Sequence, residues 1–109
     1  MTHPRCLQPA AVALASMLLL TGGAALGQTA QALQMRSLAA TCATCHGTEG
    51  KAVEGAGMAQ LAGLPKDYIV AQMQAFQNGT RPATVMHQLT KGYSNEQIDA
   101  LAAYFANKK

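Results

Sequence analysis

Two thiols and an imidazole stand close together at Cys42-Ala43-Thr44-Cys45-His46. This spacing puts both cysteines on one turn, where each thiol can add to one vinyl group of a haem, and it holds the histidine against the iron. The chemistry implied is covalent attachment of one haem c through Cys42 and Cys45, with His46 as the proximal axial ligand. A structural zinc site needs four ligands. Beyond the N-terminal stretch His87 is the only other histidine, and there is no second Cys-x-x-Cys. A thioredoxin-like dithiol needs a βαβ setting, and no segment reads as a strand.

The sixth ligand has five candidates: Met35, Met58, Met73, Met86 and His87. Met35 and Met73 fall on apolar faces of predicted helices and read as packing. Met58 follows closely after His46 in a glycine-rich loop and reads as the edge of the proximal pocket. Met86 lies in an irregular segment far from His46 and can approach from the other face, so it is the expected ligand. His87 reads as a polar surface neighbour. A methionine opposite a histidine raises the reduction potential and fills both axial positions. Outer-sphere electron transfer is then the natural role. Arg81 and Lys91 are candidates to pair with a haem propionate. Tyr68, Phe76, Tyr93 and Phe105 read as core or pocket packing.

These residues need a scaffold. The chain has 109 residues and a formal charge of +3, enough for one small domain. Its start reads as an export signal: His3 and Arg5, an apolar run at 10–20, then Thr21-Gly22-Gly23 and small residues. The run is shorter than the roughly 20 residues that span a bilayer. Residues 1–27 are therefore expected to be removed, with cleavage as late as residue 32 as the alternative, leaving a periplasmic domain at 33–109. Cys6 and Arg5 leave with the signal. The remaining charge is too small to argue for nucleic acid or a membrane surface. The core of so short a domain is marginal without a staple, and a buried macrocycle would supply an apolar centre.

An all-α fold is expected, with helices wrapped around the haem. Residues 33–40 read as a short helix carrying Leu33, Met35, Leu38 and Ala39. Residues 47–63 are glycine-rich and read as a wrapping loop. Pro65 suits the first turn of a second helix, through Tyr68, Ile69, Met73 and Phe76, stopped by Asn78-Gly79. Residues 81–92 read as irregular. Ser94 and Gln97 form a capping box ahead of a last helix with Ile98, Leu101, Ala102 and Phe105 in one stripe. Lys108 and Lys109 near its end complement the helix dipole.

With CATCHG at 42–47, LAG at 61–63, the helix through Tyr68 and Phe76, and Met86 ahead of Ala103-Tyr104-Phe105, the chain resembles the class I cytochromes c. The LAG and AAYF stretches look like the c4 and c553 group. The stretch from Thr84-Val85-Met86 to Lys91-Gly92-Tyr93-Ser94 is similar to the cytochrome subunit of flavocytochrome c sulfide dehydrogenases. That resemblance implies an FAD-containing flavoprotein partner whose flavin passes electrons to the haem, with Cys42 and Cys45 as thioethers and His46 and Met86 axial. Many members of that family carry two haems, whereas this chain can carry one. A free diffusing carrier serving other redox proteins is the alternative, and an open-iron sensor a third. Charged residues make up only 12% of the chain, which suits a docked subunit better than a carrier steered by a one-signed patch. No acid–base or nucleophile constellation is present, so any enzyme activity belongs to a complex. One departure from the family matters. No proline lies between His46 and Pro65, so another backbone carbonyl, near Gly57 or Met58, must orient His46.

Overall fold

No glycine or proline interrupts residues 28–46, and the chain is helical throughout them. In the computed structural model, which describes residues 22–109, helix α1 spans Gly22–His46. The apolar run at 10–20 and Cys6 lie outside the described residues. The chain divides at residues 33 and 34 into two units, and residues 34–109, the second, contain the motif and the core. The expected helix at 33–40 is thus too short, because the motif continues it. Gly47 ends α1: its N–H donates to the Ala43 carbonyl at 3.0 Å, and it turns to φ 80°. A Cβ there would lie 1.9 Å from the Lys51 carbonyl oxygen, so no other residue fits this stop.

A 3-10 turn at Thr48–Gly50 follows, then a loop, then α2 at Lys66–Gln77. Pro65 is the residue that caps α2 rather than its first helical position; its carbonyl accepts from the Ile69 N–H. Asn78 and Gly79 end α2 as expected, Gly79 at φ 73°. The region 81–92 is not wholly irregular. It holds a one-turn helix, α3, at Met86–Leu89 and a 3-10 turn at Thr90–Gly92. The last helix, α4, spans Asn95–Ala106, and Ser94 and Gln97 form both bonds of the capping box. No strand occurs among the described residues.

The stripe on α4 is the centre of the core. Ile98, Leu101, Ala102 and Phe105 are all buried, against Ile69 and Met73 of α2 and Ala39 of α1. Full burial of Ile98, Leu101 and Phe105 stabilises the fold by about 1.5–3 kcal/mol each. Met35, Leu38, Ala39 and Cys42 continue the contact along one face of α1, at i, i+3, i+4 and i+7. One expected packing residue is not in the core: Tyr68 is exposed.

The loop after the motif is closed by backbone bonds. The Leu61 and Ala62 N–H groups donate to the Gly50 carbonyl at 2.8 and 3.0 Å, and the Gly63 N–H donates to the Phe105 carbonyl at 3.0 Å. The two ends of the loop are therefore tied to each other, and Gly63 ties them to the end of α4.

Candidate haem site

Helical geometry gathers the three motif side chains. Cys42, Cys45 and His46 stand at i, i+3 and i+4 on the last turn of α1, a single face. Neither thiol is in a disulfide. Cys42 is half-buried against the core, and burial pushes its thiol above the ordinary range, with the Thr41 hydroxyl pulling weakly the other way. Cys45 is exposed. The two thiols thus meet different surroundings, one dry and one open.

The imidazole of His46 is oriented by the closed loop. Its Nδ1 lies 2.6 Å from the Ala59 carbonyl oxygen. A carbonyl can only accept, so Nδ1 carries the proton and Nε2 keeps its lone pair. The expectation of an orienting backbone carbonyl near Gly57 or Met58 is met one residue further on. Ala59 could not have been singled out in advance, because the bond uses its backbone and carries no side-chain signal.

Met86 is the first residue of α3, partly buried and packed against the core that also touches Cys42. Met73 is buried and Met35 half-buried, both in packing roles as expected. Met58 is exposed and lines an open hollow of about 770 Å³ with Cys45, Val53 and Ala56. Neither His46 nor Met86 lines that hollow. His87 is not the exposed side chain expected: it is half-buried, and its Nδ1 is buried with no hydrogen-bond partner. Arg81 donates to the Gln72 side chain, with its guanidinium 4.6 Å over the Phe76 ring; Lys91 is exposed.

The donor set fits a covalently held haem. Two unbridged thiols share a face with an imidazole whose Nε2 keeps its lone pair, a thioether packs against the same core, and the unpartnered Nδ1 of His87 gives a polar cofactor edge beside Met86 a group to meet. No cluster of three or more His, Cys, Asp or Glu that could hold a lone metal ion occurs among the described residues.

Residues missed by the sequence reading hold the Met86 segment. Gln77, the last residue of α2, bonds two backbone carbonyls, and Thr90 is fully buried. A polar residue one turn beyond Met73 on a core-facing side was the available signal for Gln77.

Residues 30–105 match the family model described as cytochrome c oxidase, cbb3-type, subunit III. The chain is 41% identical over 71 residues to a thiosulfate dehydrogenase electron acceptor of Thiomonas intermedia, covering 65% of this chain and 33% of that one. It is 39% identical over 70 residues to the cytochrome subunit of sulfide dehydrogenase of Chlorobaculum tepidum, covering 64% and 62%. It is 33% identical over 97 residues to cytochrome c4 of Pseudomonas aeruginosa, covering 88% and 48%. The chain therefore spans between a third and about three-fifths of the length of these relatives.

Proposed function

The chain belongs to the cytochrome c family and carries one covalent haem c, and from that premise we propose that it is an exported electron-transfer cytochrome serving a sulfur-compound dehydrogenase. The observation that carries the electron-transfer reading is the His46 Nδ1 bond to Ala59, at the end of a face that also presents both thiols. When bound, the haem supplies a one-electron iron couple. Cys42 and Cys45 hold it through thioethers. His46 would present its Nε2 to the iron, and Met86 would supply the second protein ligand. With both ligands from the protein, the iron would be closed to substrate and the group would serve electron transfer.

The donor we favour is the FAD-containing subunit of a sulfide dehydrogenase. The similarity to the Chlorobaculum tepidum cytochrome subunit supports it, as do the modest charge and few charged residues. The likeness to electron acceptors of thiosulfate dehydrogenase and to cytochrome c4 supports the second reading, a diffusible carrier. Export rests on the apolar run at 10–20; no helix among the described residues is long and apolar enough to cross a membrane.

Purification from the native source tests the pairing. The haem protein is expected to elute with an FAD-containing protein and to be reduced when sulfide is added. Elution as a lone monomer, with no flavin in any cofraction, overturns the docked-subunit reading in favour of the carrier.

A further inference from the structure

The one-turn helix that carries Met86 has no means of holding itself in place. Four residues are far too few for an independent helix, and none of α3's side chains is fully buried. Its position must come from outside, and polar contacts supply it. The Gln77 side-chain amide donates to the Thr90 and Tyr93 carbonyl oxygens at 2.8 and 2.9 Å. The hydroxyl of Thr90, a residue with no exposed surface, donates to the Met86 carbonyl at 2.8 Å. The segment is thereby fixed to α2 on one side.

On the other side it is fixed to α1. The Tyr93 hydroxyl lies 2.7 Å from Thr41 Oγ1. Thr41 has one hydroxyl hydrogen, committed to the Leu38 carbonyl at 2.8 Å, so Tyr93 is the donor. Thr41 directly precedes Cys42. The bond therefore ties the Met86 segment to the turn that bears the thiols.

We infer that Gln77, Thr90 and Tyr93 are positioning residues that clasp the Met86 segment between α2 and the Cys42 turn, and so set how readily an external ligand displaces Met86. The inference rests on the reading of Met86 as an axial ligand. Each hydrogen bond lost favours the open segment, and in the open segment a competing ligand meets less resistance. The Thr90 carbonyl keeps the Tyr93 N–H at 3.2 Å, so the part-buried Tyr93 carbonyl is the acceptor that loses its side-chain donor when the Gln77 amide is removed.

Imidazole titration of the oxidised holoprotein, followed by its absorption spectrum, tests this. Tyr93→Phe deletes a single oxygen and keeps the ring. It is expected to raise imidazole affinity roughly threefold, and Gln77→Met, which keeps the bulk and removes both donors, roughly tenfold. Met86→Ala sets the upper limit. Ile98→Val, a core substitution that removes none of these hydrogen bonds, should lower Tm and leave imidazole affinity as in the wild type. If Tyr93→Phe and Gln77→Met match the wild type while Met86→Ala binds far more tightly, the clasp is overturned and the ligand assignment stands. A rise in Ile98→Val equal to theirs also overturns it, since general instability would then suffice. Equal affinities in Met86→Ala and wild type would remove the axial reading itself, and the clasp with it.

Discussion

The Nδ1 of His46 donates to the Ala59 carbonyl across 2.6 Å, and that bond depends on a loop whose closure is made elsewhere, at Gly50. A proximal imidazole hydrogen-bonded at Nδ1 is a stronger base at Nε2 and favours the oxidised iron. Inserting one glycine after Met58 moves the carbonyl without altering any ligand. Voltammetry of that variant should show a higher reduction potential, with the low-spin spectrum retained.

Met86 and Met58 differ in surroundings more than in chemistry. Met86 packs against the core, whereas Met58 is exposed beside Cys45. Met86→Ala should abolish the weak sulfur-to-iron charge-transfer band of the oxidised protein and let the reduced protein bind carbon monoxide. Met58→Ala should behave as wild type in both measurements. The reverse pattern would show that the wrong methionine was chosen.

What could be read in advance follows the range of the interactions concerned. The α4 stripe and its Ser94 cap are local and periodic, and they are found as expected. The motif is local too, yet its helix runs longer than predicted, because only Gly47 halts it. The one-turn α3 carries no period to detect. Tyr68 sits at a helical spacing that suits burial and is nonetheless exposed, since periodicity gives a face but not what covers it. The Ala59 carbonyl, and the Glu49–Lys108 and Thr41–Tyr93 contacts, join distant parts of the chain through single atoms, and no sequence pattern records them.

Haem-free protein should show the two thiols apart. Burial raises the Cys42 thiol, so less of it is thiolate at any pH below its midpoint, and its access is restricted as well. Cys45 is exposed. Iodoacetamide near pH 7.5 should therefore label Cys45 about tenfold faster or more, as read by peptide mass spectrometry, and the gap should narrow as pH rises toward 10. Equal rates at pH 7.5 would contradict the half-buried setting of Cys42.

Lys108 was expected to act on the helix dipole, but it also reaches Glu49 at 2.9 Å and lies 4.2 Å over the Tyr104 ring. The hydrogen bond from Lys108 holds the Glu49 carboxyl below its usual range, and the same bond raises Lys108. The lowered carboxyl gives stability that is present above its unfolded pKa and fades as pH falls through the folded one. The raised amine gives stability that is present below its unfolded pKa and fades as pH climbs through the folded one. The Tm difference between wild type and Lys108→Gln should be small and flat from about pH 5.5 to 9.5, and it should shrink below pH 4. It should also shrink in high salt, because the pair is partly solvated. A difference that grows on acidification would contradict the pairing.

Gly50 is the point where the proximal loop meets the core. It is buried, at φ 78°, and a Cβ there would lie 2.7 Å from Phe105 Cδ1 and 2.9 Å from Leu61 Cβ. Its carbonyl also accepts the two N–H groups that close the loop. Gly50→Ala therefore meets a left-handed backbone penalty of about 1–2 kcal/mol and overpacking of about 1–3 kcal/mol. Phe105 cannot yield, since it is 2% exposed within the α4 stripe; Leu61 and the loop behind it are the softer side. The loss of stability should thus come with displacement of the loop that delivers Ala59 to His46. Denaturant titration of the holoprotein should show Gly50→Ala destabilised by about 2–5 kcal/mol, and voltammetry should show a raised potential, as in the Met58 insertion. Gly55→Ala is the control: it has the same backbone sign, φ 79°, with nothing within 4 Å of the added carbon. It should pay the backbone penalty alone and leave the potential unchanged. If the two variants shift the potential equally, the loop does not transmit the Gly50 contact to His46.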